Sequence, residues 1–264
     1  MRLVSFGSYT FPTAMVEDGF GGRDAPDTFI DTPFGPVDAL AEDALDYGED
    51  VITRSFDIVS TTPTALQTAL DAARGCKGVF AALTAETLSG SAERWTYARC
   101  VNVSTKRTNR NFVWQRVTMR FRLPSALWNG TAHDTTLSIS DGVPVTLTNG
   151  GNANVDDLVL YLSVASSSNA SFEISKDITL DPLPADAFNV LYDGNVNAGQ
   201  TLYLDSGRWL ATKNGIGVWP DIVFQELHSC AGLFRLRPGA NPVKIDWSGT
   251  GAVSLRYVFY DKWR

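Results

Sequence analysis

The chain is poor in the residues that carry most protein chemistry. Across 264 residues it has two histidines, His133 and His228, and three cysteines, Cys76, Cys100 and Cys230. Metal centres group His, Cys and carboxylate ligands at short spacings, and neither histidine stands in an H-x-H or H-E-x-x-H context. The cysteines are odd in number and form no C-x-x-C pair, so they predict reduced, structural thiols rather than a disulfide framework or a zinc site. No serine lies in a G-x-S-x-G elbow, which leaves His133-Asp134 without a nucleophile. His228 and Cys230 are too close in sequence to adopt the geometry of a Cys–His pair with ease. Gly19-Phe20-Gly21-Gly22 and Gly215-Ile216-Gly217 match neither a P-loop nor a dinucleotide fingerprint. Asp156 and Asp157, adjacent on an extended chain, point to opposite faces and cannot flank one bond. These absences predict a protein that is not an enzyme and holds no cofactor or metal.

Charge is scarce as well, at 19% of residues against a usual value of about 25%. Ser, Thr, Asn and Gly then supply much of the polar surface, which favours β structure over long helices. No apolar run approaches the roughly 18 residues of a membrane span, and the opening stretch Met1–Met15 lacks the apolar core of a signal peptide. The expectation is synthesis in the cytoplasm without membrane insertion. A net charge of −7 and a pI near 4.8 argue against duplex nucleic acid or an anionic membrane as partner of the whole surface. The hydrophobic share of 44%, with 11% aromatic, excludes intrinsic disorder.

One helix is legible. Thr62 can cap it, Pro63 suits its first turn, Ala65, Leu66, Ala69, Leu70 and Ala73 share a face, and Gly75 suits the left-handed residue that ends it. Strands are predicted over 51–60, 77–84, 95–104 and 112–123, rich in β-branched and aromatic residues. In the last of these Val113, Val117, Met119, Phe121 and Leu123 face one way, and Arg116, Thr118, Arg120 and Arg122 the other. After Trp128-Asn129-Gly130 the texture becomes a series of short alternating strands, including Leu158-Leu160-Leu162-Val164, Leu202-Leu204, Val243-Ile245-Trp247 and Val253-Leu255-Tyr257-Phe259. Turns are expected at Asp141-Gly142, Asn149-Gly150-Gly151, Asp193-Gly194, Ser206-Gly207, Pro238-Gly239 and Gly249-Thr250-Gly251. This spacing predicts an antiparallel sandwich over 129–264, preceded by a β-rich domain with one short helix over 1–128. Residues 31–50 read as a long loop.

Charge is sharply segregated within the first domain. From Asp24 to Thr53 there are nine acids (24, 27, 31, 38, 42, 43, 46, 49 and 50) and no base, whereas from Arg94 to Arg122 there are eight bases and no acid. Either both blocks are solvated or paired within the fold, or the acidic segment of one subunit meets the basic strand of the next. The second reading makes Asp38, Glu42, Asp43, Asp46, Arg107, Arg110, Arg116, Arg120 and Arg122 candidates for a subunit interface. Seven tryptophans leave a glycan-binding sandwich as the alternative. Trp247 is in phase with core residues, while Trp95, Trp114, Trp209 and Trp219 suit either core or surface.

Two segments resemble the distal tail (Dit) family of long-tailed, siphovirus-type bacteriophages. The first runs from Gly232 through the P-G-x-N turn Pro238-Gly239-Ala240-Asn241 to Gly249, then Val253–Tyr260 and the closing Asp261-Lys262-Trp263-Arg264. The second is the strand into the capped helix at 56–63, then Arg94–Arg99 and the strand ending Phe121–Trp128. The resemblance implies a mainly β fold, with an N-terminal tail-tube-like ring domain (1–128) and a C-terminal galectin-like β-sandwich (129–264). It also implies a structural virion protein at the tail tip: a homo-hexameric ring joining the tail tube protein to the tip or baseplate hub protein. Tape measure, receptor-binding or other peripheral proteins are further partners it implies. DNA would pass through the lumen without specific binding, which suits an acidic ring because a conduit should not hold phosphates.

Overall fold

The computed structural model describes residues 2–12, 29–32, 35–38, 50–86, 93–106, 114–125, 127–165, 170–180, 184, 186–227, 233–249 and 251–264. The chain divides into two compact units, Met1–Trp128 and Asn129–Arg264. It is mostly strand, with one α-helix among the described residues.

The N-terminal unit contains β1 (Arg2–Phe6), β2 (Tyr9–Thr10), β3 (Phe29–Thr32), β4 (Gly35–Asp38), β5 (Asp50–Val59), α1 (Pro63–Gly75), β6 (Phe80–Glu86), β7 (Glu93–Lys106) and β8 (Trp114–Leu123). Six of the strands form an antiparallel sheet in the order β2-β1-β6-β7-β8-β5. β3 and β4 pair with each other as a separate hairpin, where the sequence suggested a loop. Period-2 alternation sorts β8 as expected: Val117, Met119, Phe121 and Leu123 are fully buried, and Arg120 and Arg122 are exposed. α1 covers the apolar face with Leu66, Leu70 and Ala73, one per turn along a single stripe. The Thr62 hydroxyl accepts from the Ala65 backbone N–H at 3.2 Å, and Pro63 costs the first turn no hydrogen bond.

The helix stops differently from the sequence reading. Gly75 is its last residue, but the chain continues through right-handed Cys76, with the N–H groups of Cys76 and Lys77 donating to Ala73 and Arg74. The left-handed residue is Gly78, at φ 82°. Two tightening turns satisfy the orphan carbonyls before the chain reverses.

The sheet curls strongly. β1 and β8 are three strand spacings apart in the sheet order, about 14 Å on a flat sheet, yet the rings of Phe6 and Phe121 lie 5.0 Å apart. Phe11, beyond β2, meets Phe56 edge-on at 5.6 Å and Phe121 at 6.1 Å, so that an aromatic cluster fills the fold of the curl. Cys76 and Cys100 are buried free thiols in this core. Burial pushes Cys100 up to about 11 and also raises Cys76, which keeps both protonated and weakly nucleophilic at neutral pH.

The C-terminal unit is an antiparallel sandwich. One sheet runs β16 (Ile216–Gly217), β15 (Leu210–Lys213), β14 (Thr201–Asp205), β11 (Val159–Val164), β19 (Val253–Trp263) and β9 (Trp128–Ile139). The other runs β10 (Val145–Asn149), β18 (Gly239–Trp247), β12 (Ala170–Lys176), β13 (Phe188–Val196) and β17 (Ile222–Leu227). The expected alternations are observed: Leu158, Leu160, Leu162, Val164, Leu202, Leu204, Val243, Ile245, Val253, Leu255 and Phe259 are buried between the sheets. Trp247 is half-buried against that core.

One expected turn is absent. Asp193-Gly194 lies inside β13, where Ala170 pairs with Val196 but Phe172 pairs with Tyr192. Residues 193–195 face Ser171 alone on the neighbouring strand, so the Asp-Gly pair serves a bulge. Gly194 carries no side chain because an added Cβ would lie 2.3 Å from the Tyr192 ring.

Candidate assembly surface

The motifs that carried the resemblance are hydrogen-bonded fastenings of the C-terminal unit. Asn241 is fully buried, and its amide nitrogen donates to the carbonyls of Arg237 and Gly239 at 2.9 Å each and of Leu147 at 3.3 Å. Its Oδ1 accepts from the Arg237 N–H at 2.9 Å. One side chain thus closes the Pro238-Gly239 turn on itself and ties it to β10. Gly239 makes the reversal possible at φ 91°, in the region that side chains avoid. The stretch before it is equally fixed. Phe234 exchanges two 3.0 Å hydrogen bonds with the Ser206 hydroxyl, and Arg235 donates to Asp156 at 2.6 Å. Arg237 reaches Asp177 at 3.6 Å, beside a fully buried Lys176 that pairs with Asp177 at 3.0 Å and with Asp186.

The closing residues of the chain are stitched down in the same way. Lys262 Nζ donates to Asn129 Oδ1 at 2.6 Å and to Asp157 at 2.5 Å, while its carbonyl accepts from Asn152 and Ala153. This approach requires glycine at 151, where any Cβ would stand 1.9 Å from the Lys262 oxygen. The indole of Trp263 lies against Gly130. Asp261 accepts from the Gly150 N–H at 2.7 Å and meets His133 Nε2 at 2.9 Å, and the His133 ring stacks on Phe259. Asp134 is held by Arg256 through two hydrogen bonds of 2.7 and 2.8 Å, which keep its carboxyl below the usual carboxylate range. His133 and Asp134 therefore serve different partners, as do Asp156 and Asp157. Trp128 is buried at the start of β9. His228 and Cys230 lie outside the described residues.

The other face of the N-terminal sheet carries several exposed side chains. Its strand registers align Phe80, Arg99, Arg122 and Val51 in one row across β6, β7, β8 and β5. The next row carries Arg120 between Asn102 and Thr53. Phe80 and Tyr97 are 52% and 51% exposed and stack at 5.5 Å and 15°, with Trp95 edge-on to Tyr97 at 5.4 Å. Val51 and Val101 are also exposed.

Of the predicted interface residues, Arg120 and Arg122 stand together on this face. Arg116 grips Asp57 through Nε and Nη2 at 2.9 and 3.2 Å, an internal pair that neutralises its charge. Asp38 closes β4, and Glu42, Asp43, Asp46, Arg107 and Arg110 lie outside the described residues. Arg99, Phe80 and Tyr97 were not among the predicted site residues. Their alternation along β6 and β7 was legible, but their alignment depends on cross-strand register.

The Arg116 hydrogen bond holds the Asp57 carboxyl below its ordinary range. A carboxylate with a depressed folded-state pKa adds stability above its unfolded value and loses it as pH falls through the folded value. Arg116→Ala is therefore expected to cost at most about 1 kcal/mol near neutrality, as befits a part-exposed pair. Wild-type and variant urea melts should converge in acid, below about pH 4; a constant gap between them would assign the loss to packing.

A second exposed aromatic group lies in the C-terminal unit. Trp209, 44% exposed and at φ 50°, lies 6.4 Å from Trp219 with the rings within 23° of parallel. Phe224 packs at 6.2 Å from Trp219.

Among the described residues no group of His, Cys, Asp and Glu is arranged to hold a metal. Among the same residues no helix is long and apolar enough to cross a membrane. No protein-family model matches the chain, and no curated protein matches it by sequence. Among solved structures, the chain is similar to the Dit protein of phage SPP1, described as a paradigm of the hub adsorption apparatus of phages that infect Gram-positive bacteria. The TM-score is 0.55 at 13% identity, over 80% of this chain and 79% of that one. The phage P2 baseplate in its activated conformation also aligns, with calcium at TM-score 0.38 and 7% identity over 79% of this chain, and with strontium at 0.35 and 8% over 78%. Each covers 78% of the baseplate chain, and those scores are too low to bear on the fold. Two β-rich units in one chain, matched over four-fifths of their length, give this protein the fold of the SPP1 Dit protein.

Proposed function

We propose that the chain is a structural virion protein, the distal tail ring of a long-tailed phage. Six copies close laterally, one rim capping the tail tube protein and the other receiving the tip or baseplate hub protein, with DNA passing through the lumen. The N-terminal unit is the tail-tube-like ring former. The C-terminal, galectin-like sandwich projects outward to carry peripheral tail proteins. The ring assembles in the host cytoplasm, works at the tail tip, and does so without catalysis.

The observation that carries this reading is the alignment with SPP1 Dit at TM-score 0.55 over 80% of the chain. Such a length of match involves both units rather than one common sandwich. The two histidines and the buried thiols agree with a mechanical role.

Light scattering after size exclusion, alone and with tail tube and hub proteins, tests the proposal. The expected species has about six times the 28.7 kDa chain mass. A chain that stays monomeric and that neither protein recruits would overturn it. The exposed Trp209 keeps a glycan-binding reading open. Saturable quenching of tryptophan fluorescence by a sugar, abolished by Trp209→Ala, would establish it.

A further inference from the structure

Lysine is among the side chains least often fully buried, yet Lys176 is 1% exposed and its side chain meets no solvent. It ends β12 opposite Phe188, the first residue of β13. Phe188 packs edge-on against Phe234 at 5.2 Å, and both are fully buried, as are Ala187 and Leu236. Nζ donates to the Asp186 carbonyl at 3.3 Å and is in direct contact with the Asp186 carboxylate. Asp177 Oδ2 lies 3.0 Å from Nζ, and this buried oxygen accepts no hydrogen bond among the described residues. Arg237 stands at the rim, with Nη2 3.6 Å from Asp177 and Nε 4.0 Å from Asp186. Two cations and two carboxylates therefore meet against the apolar interior of the sandwich.

A buried ion pair is a costly way to tie two strands, because neither charge recovers its hydration. This pair has the parts to leave that state. An amine held against a carboxyl group reacts at an effective concentration far above that of free groups, and an interior site does not readily return the water released. We infer that Lys176 and Asp186 condense into an intramolecular isopeptide bond between Nζ and Cγ, with Asp177 carrying the proton. Asp177 takes one proton from the ammonium, which frees the Nζ lone pair to attack Cγ of Asp186. The tetrahedral centre then expels one carboxylate oxygen, which leaves as water with the proton held by Asp177 and a second proton from Nζ. One C–N bond forms and one C–O bond breaks, Asp177 ends as it began, and nothing is oxidised or reduced. The product is a neutral amide in place of a buried ion pair, and Arg237 keeps Asp177 as its counter-charge. The bond fastens the end of β12 to a residue two positions before β13, a covalent tie within the five-stranded sheet. It is independent of the ring reading.

Mass spectrometry of the denatured full-length protein after trypsin digestion tests the inference. Between Arg122 and Arg208 the only tryptic site follows Lys176. The expected product is a single fragment, 123–208, uncut at 176 and lighter by one water than its sequence. Lys176→Arg is the digestion control, cut at 176 and of full mass. Asp186→Asn should lose ammonia in place of water, because the same attack expels the amide nitrogen. Asn tolerates the φ of 57° at position 177, so Asp177→Asn should keep the fold by circular dichroism. Its cross-linked fraction should fall about tenfold or more, as befits a lost proton carrier.

Cleavage at 176 with full fragment masses in the wild type would overturn the inference, whatever the variants do. A missing water in a fragment still cut at 176 would be a succinimide, for which Asp193-Gly194 is the candidate, and would overturn it as well. An undiminished cross-link in Asp177→Asn would keep the bond and overturn the part given to Asp177.

Discussion

Asn241→Ala should cost the C-terminal unit about 3–5 kcal/mol, a large part of the 5–15 kcal/mol that holds a domain together. The replacement removes every contact of a fully buried amide, whose two N–H groups are shared among three carbonyls and whose oxygen accepts one N–H, and it leaves the Leu147 carbonyl without that donor in the interior. Each buried polar group left without a partner costs about 1–3 kcal/mol, with some relief where water enters. Asn241→Asp separates donor from shape. It keeps the size but turns acceptors toward three carbonyls, and should be at least as damaging. Urea melts give the magnitude, and hydrogen exchange gives the location. Faster exchange at the start of β18 and in β10, with the N-terminal sheet unchanged, is the expected pattern. A loss under about 1 kcal/mol would mean that the turn holds without its amide clamp.

Phe121→Ala should have an effect of similar size in the other unit. Phe121 is fully buried, 5.0 Å from Phe6 and 6.1 Å from Phe11, at the place where the sheet folds over itself. Deleting a buried phenyl ring costs about 3–5 kcal/mol, because the cavity adds to the lost transfer energy. Phe121→Leu restores much of the volume and should recover more than half of the loss. If the ring depends on the curl of this sheet, Phe121→Ala should also weaken assembly, although Phe121 faces away from the arginines. Unchanged assembly with a full stability loss would uncouple the two. Asn241→Ala, by contrast, should leave the stability of the N-terminal unit unchanged.

The elements that were legible in the sequence depend on near neighbours. Thr62-Pro63 and the stripe Leu66-Leu70-Ala73 specify α1 within fourteen residues, and the alternation of Val117, Met119, Phe121 and Leu123 specifies the buried side of β8 without reference to its partners. Elements settled by distant segments were not legible. Asp193-Gly194 has the composition of a turn, and it becomes a bulge because β12 supplies one residue opposite three. Gly75 is a plausible helix stop by composition, but the left-handed turn falls at Gly78. The same limit applied to the candidate surface. The charge blocks were visible as counts, whereas the row Phe80-Arg99-Arg122-Val51 draws on four strands across 72 positions. Asp57, 59 residues from Arg116, removes that arginine from the exposed positive charge. Alternation selects the face on which a residue lies, and only register selects its neighbours.

The hydrogen bond from Lys262 to Asn129 joins the first residue of the C-terminal unit to nearly its last. A unit whose first and last strands are tied together does not fray from one of them alone, so losing the Lys262 contacts should loosen the start of β9 and the end of β19 together.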